Sequence, residues 1–310
     1  MTNTQRHAPD PMDATHSPAP LFTVFTATFN RAHTLHRVHD SLCKQTLKDF
    51  EWLIVDDGST DGTEDLVRSW IEHQSFPIRY IRQVNQGKHF AYNRGVEEAN
   101  GELFLALDSD DTCSPYALAR FHHHWLSIPA AQRPSFSGVT CLCQDQQGRA
   151  LGGPLPEAFI DGPPFEVISR LRREGEMWGF HRTDVLRQFR FPEIPSERFV
   201  PEGLVWNRIG RRYQIRFVNE SLRHYFSSSD GLSAKMVAIR RQSPTATLMY
   251  YIEVLDLPIS MRDRLKAAAN LWRFGLLSAK SNAVCSATLR HPLLMLLGCV
   301  PGLALILARR

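Results

Sequence analysis

Residues 103–111 read LFLALDSDD, an apolar run that passes directly into three carboxylates and a serine. The apolar run predicts a buried β-strand. Carboxylates this close together repel one another when they are ionised, so the cluster needs a positive partner. Oxygen ligands on a short loop suit Mg²⁺ or Mn²⁺, which share their remaining coordination positions with substrate phosphates. The alternative is that Asp111 or Ser114 simply caps the helix that follows.

The same arrangement, a strand that ends in polar residues, occurs three more times upstream. Apolar, β-rich runs at 21–27, 50–55 and 78–84 are each followed by polar residues and a helical pattern. Strands that alternate with helices predict an α/β fold with a mostly parallel sheet flanked by helices. Ligands bind beyond the carboxyl ends of such strands. We therefore expect the four polar groups to converge on one edge of the sheet, as a site for a nucleotide diphosphate. These groups are TFNR (28–31), DDGS (56–59), QGK (86–88) and DSDD (108–111).

Composition and missing motifs exclude other classes of protein. There is no Gly-x-Gly-x-x-Gly after the first strand and no Gly-Lys-Ser/Thr loop, which disfavours dinucleotide oxidoreductases and P-loop ATPases. Residues 236–310 hold ten Lys/Arg and three Asp/Glu, whereas residues 1–235 hold 26 and 29. An acidic main domain disfavours nucleic-acid binding. The six scattered cysteines fit free thiols in a reducing cytoplasm.

The chain divides into three parts by composition. Residues 1–20 are rich in proline and polar groups, which predicts a disordered tail and not a signal peptide. Residues 21–235 contain the α/β pattern, and residues 236–310 form a basic, apolar helical extension. Within it, 292–308 is an uncharged run of 17 residues, at the lower limit for spanning a bilayer. Three alternatives remain for this run: it packs on the main domain or forms a dimer surface, it lies in the membrane interface, or it spans the membrane. We favour contact with the membrane interface.

Several segments together resemble the family 2 glycosyltransferases, which have a GT-A fold. The resemblance covers about residues 21–235, and its later segments are similar to the bacterial branch that builds capsule, exopolysaccharide or lipopolysaccharide. It implies a cytoplasmic enzyme at the inner face of the bacterial membrane. The segments are TATFNR (26–31), VDDGSTDGT (55–63), NQGKHFAYNRG (85–95), LDSDD (107–111), GEMWGFHRTDVL (175–186), FPE (191–193), FVPEGLVWNRIG (199–210) and VNESLRHYFSSSDGLS (218–233).

The resemblance assigns nucleoside contacts to the first two strand ends. Thr28, Phe29 and Asn30 match positions that contact the uracil and the ribose, and Arg31 lies beside them. Asp57 matches the carboxylate that bonds the uracil or the ribose. The implied donor is a UDP-sugar, with a GDP- or dTDP-sugar as the alternative.

The resemblance assigns the chemistry to residues further along the chain. Lys88 matches a polar position near the base and the first phosphate. Asp108 and Asp110, with Ser109 between them, match the Asp-x-Asp motif that holds the ribose and a divalent metal, here Mg²⁺ or Mn²⁺. Glu202 matches the catalytic base, although glycine follows it where the family often has aspartate.

A mechanism follows from these assignments. A metal-stabilised diphosphate leaves while Glu202, in apolar sequence surroundings suited to a base, takes a proton from the acceptor, a glycan or a lipid-linked sugar. Displacement from the opposite side inverts the anomeric centre. Two alternatives remain: Glu202 is only a carboxylate at a helix N-terminus, or the protein is a catalytically silent, nucleotide-sugar-binding scaffold. Residues 227–231 are interpreted as a mobile loop that closes over the donor.

Overall fold

A computed structural model describes residues 19–73, 76–226, 236–278 and 281–307. The loop predicted at 227–231 lies outside the described residues, as does the predicted N-terminal tail apart from residues 19 and 20.

The described residues form one sheet flanked by helices. Its strands are β1 (Phe22–Thr28), β2 (Phe50–Asp56), β3 (Ile78–Arg82), β4 (Leu103–Ala106), β5 (Thr112–Cys113), β6 (Phe136–Gln144), β7 (Phe159–Gly162), β8 (Met177–Arg182) and β9 (Gln214–His224). The helices before the extension are α1 (Leu35–Cys43), α2 (Thr63–Ile71), α3 (Lys88–Glu98), α4 (Ala117–Leu126), α5 (Pro164–Leu171), α6 (Thr183–Gln188) and α7 (Gly203–Gly210). The extension contains α8 (Met236–Gln242), α9 (Pro244–Leu255), α10 (Met261–Leu277), α11 (Ser281–Arg290) and α12 (Pro292–Leu307).

The strand order is β3-β2-β1-β4-β8-β6-β9-β5, and β7 pairs with β9. The first four strands are parallel, as the sequence predicts. The second half is mixed, because β8 is antiparallel to both β4 and β6, while β6 is parallel to β9. The carboxyl ends of β1, β2 and β4 therefore meet at one edge, beside the segment that follows β9.

Both faces of the sheet are buried at the central parallel strands β1, β2 and β4, whereas the edge strand β3 is only partly buried. Every residue of β2 is buried, with Trp52 and Ile54 on one face and Leu53 and Val55 on the other. This is the pattern expected of a parallel strand covered on both sides. Leucine and valine of α1 pack on the first face, and alanine, tyrosine and valine of α3 pack on the second. The sheet is thereby rigid up to the ends of its strands, where the polar loops begin.

The C-terminal helices form a layer with its own apolar core. Helices α10 and α12 approach closely because Gly298 faces Ala268: a Cβ atom at position 298 would lie 2.6 Å from the Ala268 Cβ atom. Trp272 Nε1 donates to the Met295 carbonyl at 2.9 Å. The layer joins the main domain through Arg208, which pairs with Glu253 of α9. Among the described residues, none of the helices has the length and apolarity needed to cross a membrane.

The outer face of α12 carries a stripe of exposed apolar side chains. Leu296 and Val300 are 71% and 75% exposed. The other members are Leu293, Leu297, Leu303 and Leu307. Their spacing of three or four residues places them on one side of the helix, opposite the glycines that face α10.

Candidate active site

The loop after β1 is fixed on the loop after β2. The Asn30 backbone N–H donates to Ser59 Oγ at 2.8 Å, and the Thr60 N–H donates to Asn30 Oδ1 at 2.8 Å. Asn30 has a φ of 53°, in the left-handed region that asparagine tolerates better than most residues. The Thr28 hydroxyl is buried and lacks a partner within the described chain, and Phe29 is 46% exposed beside it. An orphan hydroxyl next to an open aromatic ring leaves room for a ligand.

Asp57 connects the second strand end to the third. Its carboxylate accepts hydrogen bonds from Gln83 Nε2 (2.8 Å), the Gln86 N–H (3.0 Å) and the Gly87 N–H (2.8 Å). The side chain is buried, so these bonds hold the β3–α3 loop at the sheet edge. The Arg31 backbone N–H donates to a threonine hydroxyl at the start of α2 at 3.2 Å. The structure thus gives Asp57 a loop-holding role, and its nucleoside contact stays a prediction.

Lys88 connects the third strand end to the fourth. Lys88 Nζ donates to Asp108 Oδ1 at 2.8 Å and to Glu202 Oε1 at 3.0 Å. Burial lowers the pKa of Lys88, but the two carboxylates outweigh that effect and raise it above its usual range. Hydrogen bonds therefore link all four strand ends, and the predicted convergence on one edge is confirmed.

Arg223, at the end of β9, belongs to the same cluster although the sequence did not point to it. Its guanidinium donates to Asp108 Oδ2 at 2.8 Å and to Asp111 Oδ2 at 2.7 Å. The Phe226 N–H donates to Asp111 Oδ1 at 2.9 Å. Asp111 therefore anchors the segment after β9, and the alternative that it caps the next helix is wrong: α4 begins at Ala117, after the cap residue Tyr116. The strand gave no distinguishing signal, because β9 (QIRFVNESLRH) contains several polar residues and a second arginine, Arg216.

The carboxylates after β4 differ in what they can still bind. Both oxygens of Asp108 accept hydrogen bonds, and Lys88 and Arg223 hold its pKa well below the usual range against the opposing effect of burial. In the part of the chain that the structure describes, the Asp110 carboxylate has no hydrogen-bond or ion-pair partner, and the Ser109 side chain is buried. No group of three or more His, Cys, Asp or Glu residues that could hold a metal occurs there.

This donor set fits Mg²⁺ or Mn²⁺ only as a shared site. Such ions are commonly bound through one or two carboxylates, with substrate phosphates and waters completing the coordination. Asp110, without a partner at the end of β4, can supply one carboxylate, and Asp108 can add another once Lys88 turns away. A cage built from protein ligands alone is not present among the described residues.

Glu202 faces the cluster. It immediately precedes α7, so the alternative of a helix N-terminal carboxylate is correct about its position. Its side chain makes no capping hydrogen bond and instead accepts from Lys88. The side chain is 50% exposed, so the apolar enclosure expected from its neighbours is wrong: Val200 and Leu204 point into the core. The carboxylate is thereby free to meet an incoming hydroxyl.

Comparisons with known proteins bear on the family and the fold. Residues 23–146 match the family model described as Glycosyl transferase family 2. Residues 23–146 carry a family 2 glycosyltransferase domain. The chain is 40% identical over 213 residues to an uncharacterized glycosyltransferase of Nostoc sp., an alignment that covers 66% of this chain and 63% of the relative. The chain thus spans less than two thirds of that relative's length.

Solved structures share the fold. The structure of TarS residues 1–349 from S. aureus with UDP-GlcNAc superposes with a TM-score of 0.58 at 17% identity, covering 89% of this chain and 79% of that one. The mannosyltransferase PcManGT from Pyrobaculum calidifontis, with GDP-Man and Mn²⁺, gives a TM-score of 0.55 at 18% identity, covering 97% and 91%. At these identities the likeness establishes the GT-A fold alone.

Proposed function

We propose that this protein transfers a sugar from a UDP-sugar to an acceptor hydroxyl, with inversion and with a divalent metal. The observation that carries the proposal is the linkage of Lys88, Asp108 and Glu202 at the sheet edge. One ammonium group there lies within hydrogen-bond distance of a carboxylate from the Asp-x-Asp motif and of the candidate base. The group that would stabilise the leaving diphosphate and the group that would accept the proton therefore lie next to each other.

Glu202 is the proposed general base. Its half-exposed carboxylate removes the proton from the acceptor hydroxyl as the hydroxyl oxygen bonds to the anomeric carbon. The bond from that carbon to the diphosphate oxygen breaks at the same time, and its electrons leave with the diphosphate. A single base acting opposite the leaving group inverts the anomeric centre.

The departing diphosphate gains negative charge, which positive groups must stabilise. Lys88 is 43% exposed and can move from Asp108 toward a phosphate, while the buried Arg223 holds Asp108 in place. Asp110 and Asp108 would hold Mg²⁺ or Mn²⁺, which supplies further positive charge to the leaving group when bound.

The uracil preference is supported by the motif match and by TarS, whose solved structure contains UDP-GlcNAc. PcManGT was solved with GDP-Man, so a GDP-sugar remains the second donor candidate. Thr28, Phe29, Asn30, Arg31, Asp57 and Ser109 are the proposed donor-binding residues.

A place in cell-surface polysaccharide synthesis is also part of the proposal, with a glycan or lipid-linked acceptor. The basic extension and the apolar stripe on α12 support peripheral contact with the inner face of the membrane through 261–310. Sedimentation with phosphatidylglycerol vesicles tests this contact. We expect the Leu296→Ser/Val300→Ser variant to bind the vesicles less than wild type does. Equal binding would refute membrane contact through the stripe on α12.

The decisive experiment measures nucleotide release across UDP-, GDP- and dTDP-sugars with Mn²⁺, with and without EDTA. Asp110→Ala is the test variant, and Asp65→Ala, an exposed acid on α2, is the matched control. We expect release from one donor that EDTA and Asp110→Ala abolish and Asp65→Ala leaves intact. Nucleotide-sugar binding by calorimetry without release in the presence of acceptor extracts would favour the scaffold alternative. Release that EDTA leaves unchanged would exclude the metal.

A further inference from the structure

A cavity of about 500 Å³ opens from the catalytic carboxylates toward the C-terminal helices. Lys88, Asp108 and Glu202 line one end of it. The residues proposed for the nucleoside, 28–31 and Asp57, are all described, and none of them lines it. The cavity therefore extends from the reacting groups away from the nucleotide, toward the place where an acceptor must enter.

The walls beyond the carboxylates are largely apolar. Phe165 and Ile168 come from α5, Val254 from α9, and Leu257 and Ile259 from the turn before α10. Ile168 remains 40% exposed although it is a large apolar residue. Aliphatic walls offer no hydrogen-bond partners to the hydroxyls of a sugar ring. An apolar portion of a larger acceptor fits them better.

The rim of the cavity is cationic. Arg172, Arg262 and Lys266 line it and are exposed, and none of their side chains has a hydrogen-bond or ion-pair partner within the described ranges. Two acids, Glu174 and Asp263, also line it. Two serine hydroxyls at 2.6 and 2.7 Å hold the Asp263 carboxylate but do not neutralise it. Three cations therefore face two carboxylates, which leaves the rim with a net positive charge. A phosphate ester is the kind of group that such a rim attracts.

The apolar stripe on α12 lies behind the cavity. One face of α10 contributes Lys266 and Asn270 to the cavity, and the opposite face packs through Ala268 against Gly298 of α12. Helices α10 and α12, each about 10 Å across, therefore both lie between the cavity and the outward-facing stripe. A lipid surface on that stripe would lie on the same side of the protein as the cavity's α10 wall, two helix layers away.

We propose that this cavity is the acceptor site and that the acceptor is an anionic amphiphile. Its hydroxyl meets Glu202, its apolar part lies against Phe165, Ile168 and Val254, and its phosphate group pairs with Arg262 and Lys266. The inference rests on the proposed sugar transfer and narrows its acceptor from any glycan to a lipid phosphate. A neutral glycan lacks the anionic group that would pair with Arg262 and Lys266.

Binding of three probes to the full chain tests the inference by calorimetry below the micellar concentration. Dodecyl phosphate has both features, inorganic phosphate has only the charge, and dodecyl glucoside has only the chain and a sugar. We expect dodecyl phosphate to bind at least about tenfold more tightly than either of the others, because only it uses both the walls and the rim. UDP binding is measured on the same samples.

Two variants and their controls locate the binding. Ile168→Ser should weaken dodecyl phosphate binding about fivefold, whereas Ile71→Ser, at 43% exposure on α2, should not. Arg262→Gln/Lys266→Gln should weaken it about tenfold, whereas Arg241→Gln/Lys44→Gln should not. Equal affinity for dodecyl phosphate and inorganic phosphate, or equal effects of test and control variants, would overturn the inference. If UDP binding persists in that case, the donor site stands; if UDP binding is absent from wild type, the proposed function itself fails.

Discussion

Replacing Lys88 with methionine separates a role in the reaction from a role in stability. Lys88 Nζ lies 2.8 Å from Asp108 Oδ1 and 3.0 Å from Glu202 Oε1. The side chains of Lys88, Asp108 and Glu202 are 43%, 36% and 50% exposed, so solvent screens both pairs. Exposed ion pairs contribute about 0.2–1 kcal/mol each. We therefore expect Lys88→Met to change the free energy of unfolding by no more than about 2 kcal/mol.

The expected effect of Lys88→Met on the reaction is larger. The leaving diphosphate gains charge at the transition state, and removal of one preorganised donor typically lowers kcat about 10²–10³-fold. A coupled assay of nucleotide release at saturating donor measures kcat, and urea unfolding measures stability. Arg94→Met is the matched control, because Arg94 is 49% exposed and pairs with Glu98 one helical turn away.

The control should keep kcat within about twofold of wild type. A Lys88→Met protein that folds normally and keeps kcat within about threefold of wild type would refute the electrostatic role. A large loss of stability with little change in kcat would make Lys88 a structural residue instead.

Three further predictions concern stability. Arg223→Met should lower the free energy of unfolding in urea by about 3–5 kcal/mol, because Asp111 is 1% exposed and loses its cation. Adding Asp111→Asn should restore part of that loss. A double variant no more stable than Arg223→Met would contradict the ion-pair explanation. Burial lowers the pKa of His181 from 6.5 to about 4, so its contribution to stability is complete above pH 6.5 and falls as the pH drops toward 4. Between pH 7 and pH 5 the free energy of unfolding should therefore fall by about 2 kcal/mol less in His181→Phe than in wild type. Parallel pH profiles of the two proteins would show that His181 does not cause the loss. A Cβ atom at Gly298 would lie 2.6 Å from a Cβ atom of α10. Gly298→Ile should therefore lower the free energy of unfolding, measured by thermal unfolding, by about 1–3 kcal/mol. The control Leu297→Ile, at an exposed position, should leave it nearly unchanged.

The elements of the parallel half could be predicted from the sequence because hydrophobic periodicity is local. The predicted strands at 21–27 and 50–55 are β1 at 22–28 and β2 at 50–56. The antiparallel insertion of β8 between β4 and β6 could not be predicted in this way. Its pairings join residues far apart in the chain, and alternation of side chains along a strand does not specify the neighbouring strand.

In the candidate site, too, local patterns were predictable from the sequence and long-range pairs were not. The polar residues at four strand ends, together with the rule that ligands bind there, predicted the convergence of Lys88 with Asp108. The buried bond between Arg223 and Asp111 was missed, since it joins positions 112 residues apart. A local pattern gives no sign of such a pair until both elements are packed.

The sequence by itself therefore determined which chemical groups stand at the sheet edge, because strand ends and their loops follow from local hydrophobic spacing. Only the tertiary structure decided which of those groups remain available. Asp108 is engaged by two cations, Asp110 is left without a partner among the described residues, and Glu202 turns toward Lys88 instead of capping its helix. The cavity that we propose for the acceptor also depends on the tertiary structure, because its walls come from α5, α9 and α10. The distances between these side chains depend on how distant parts of the chain pack, because packing decides which charges lose water and which charges pair.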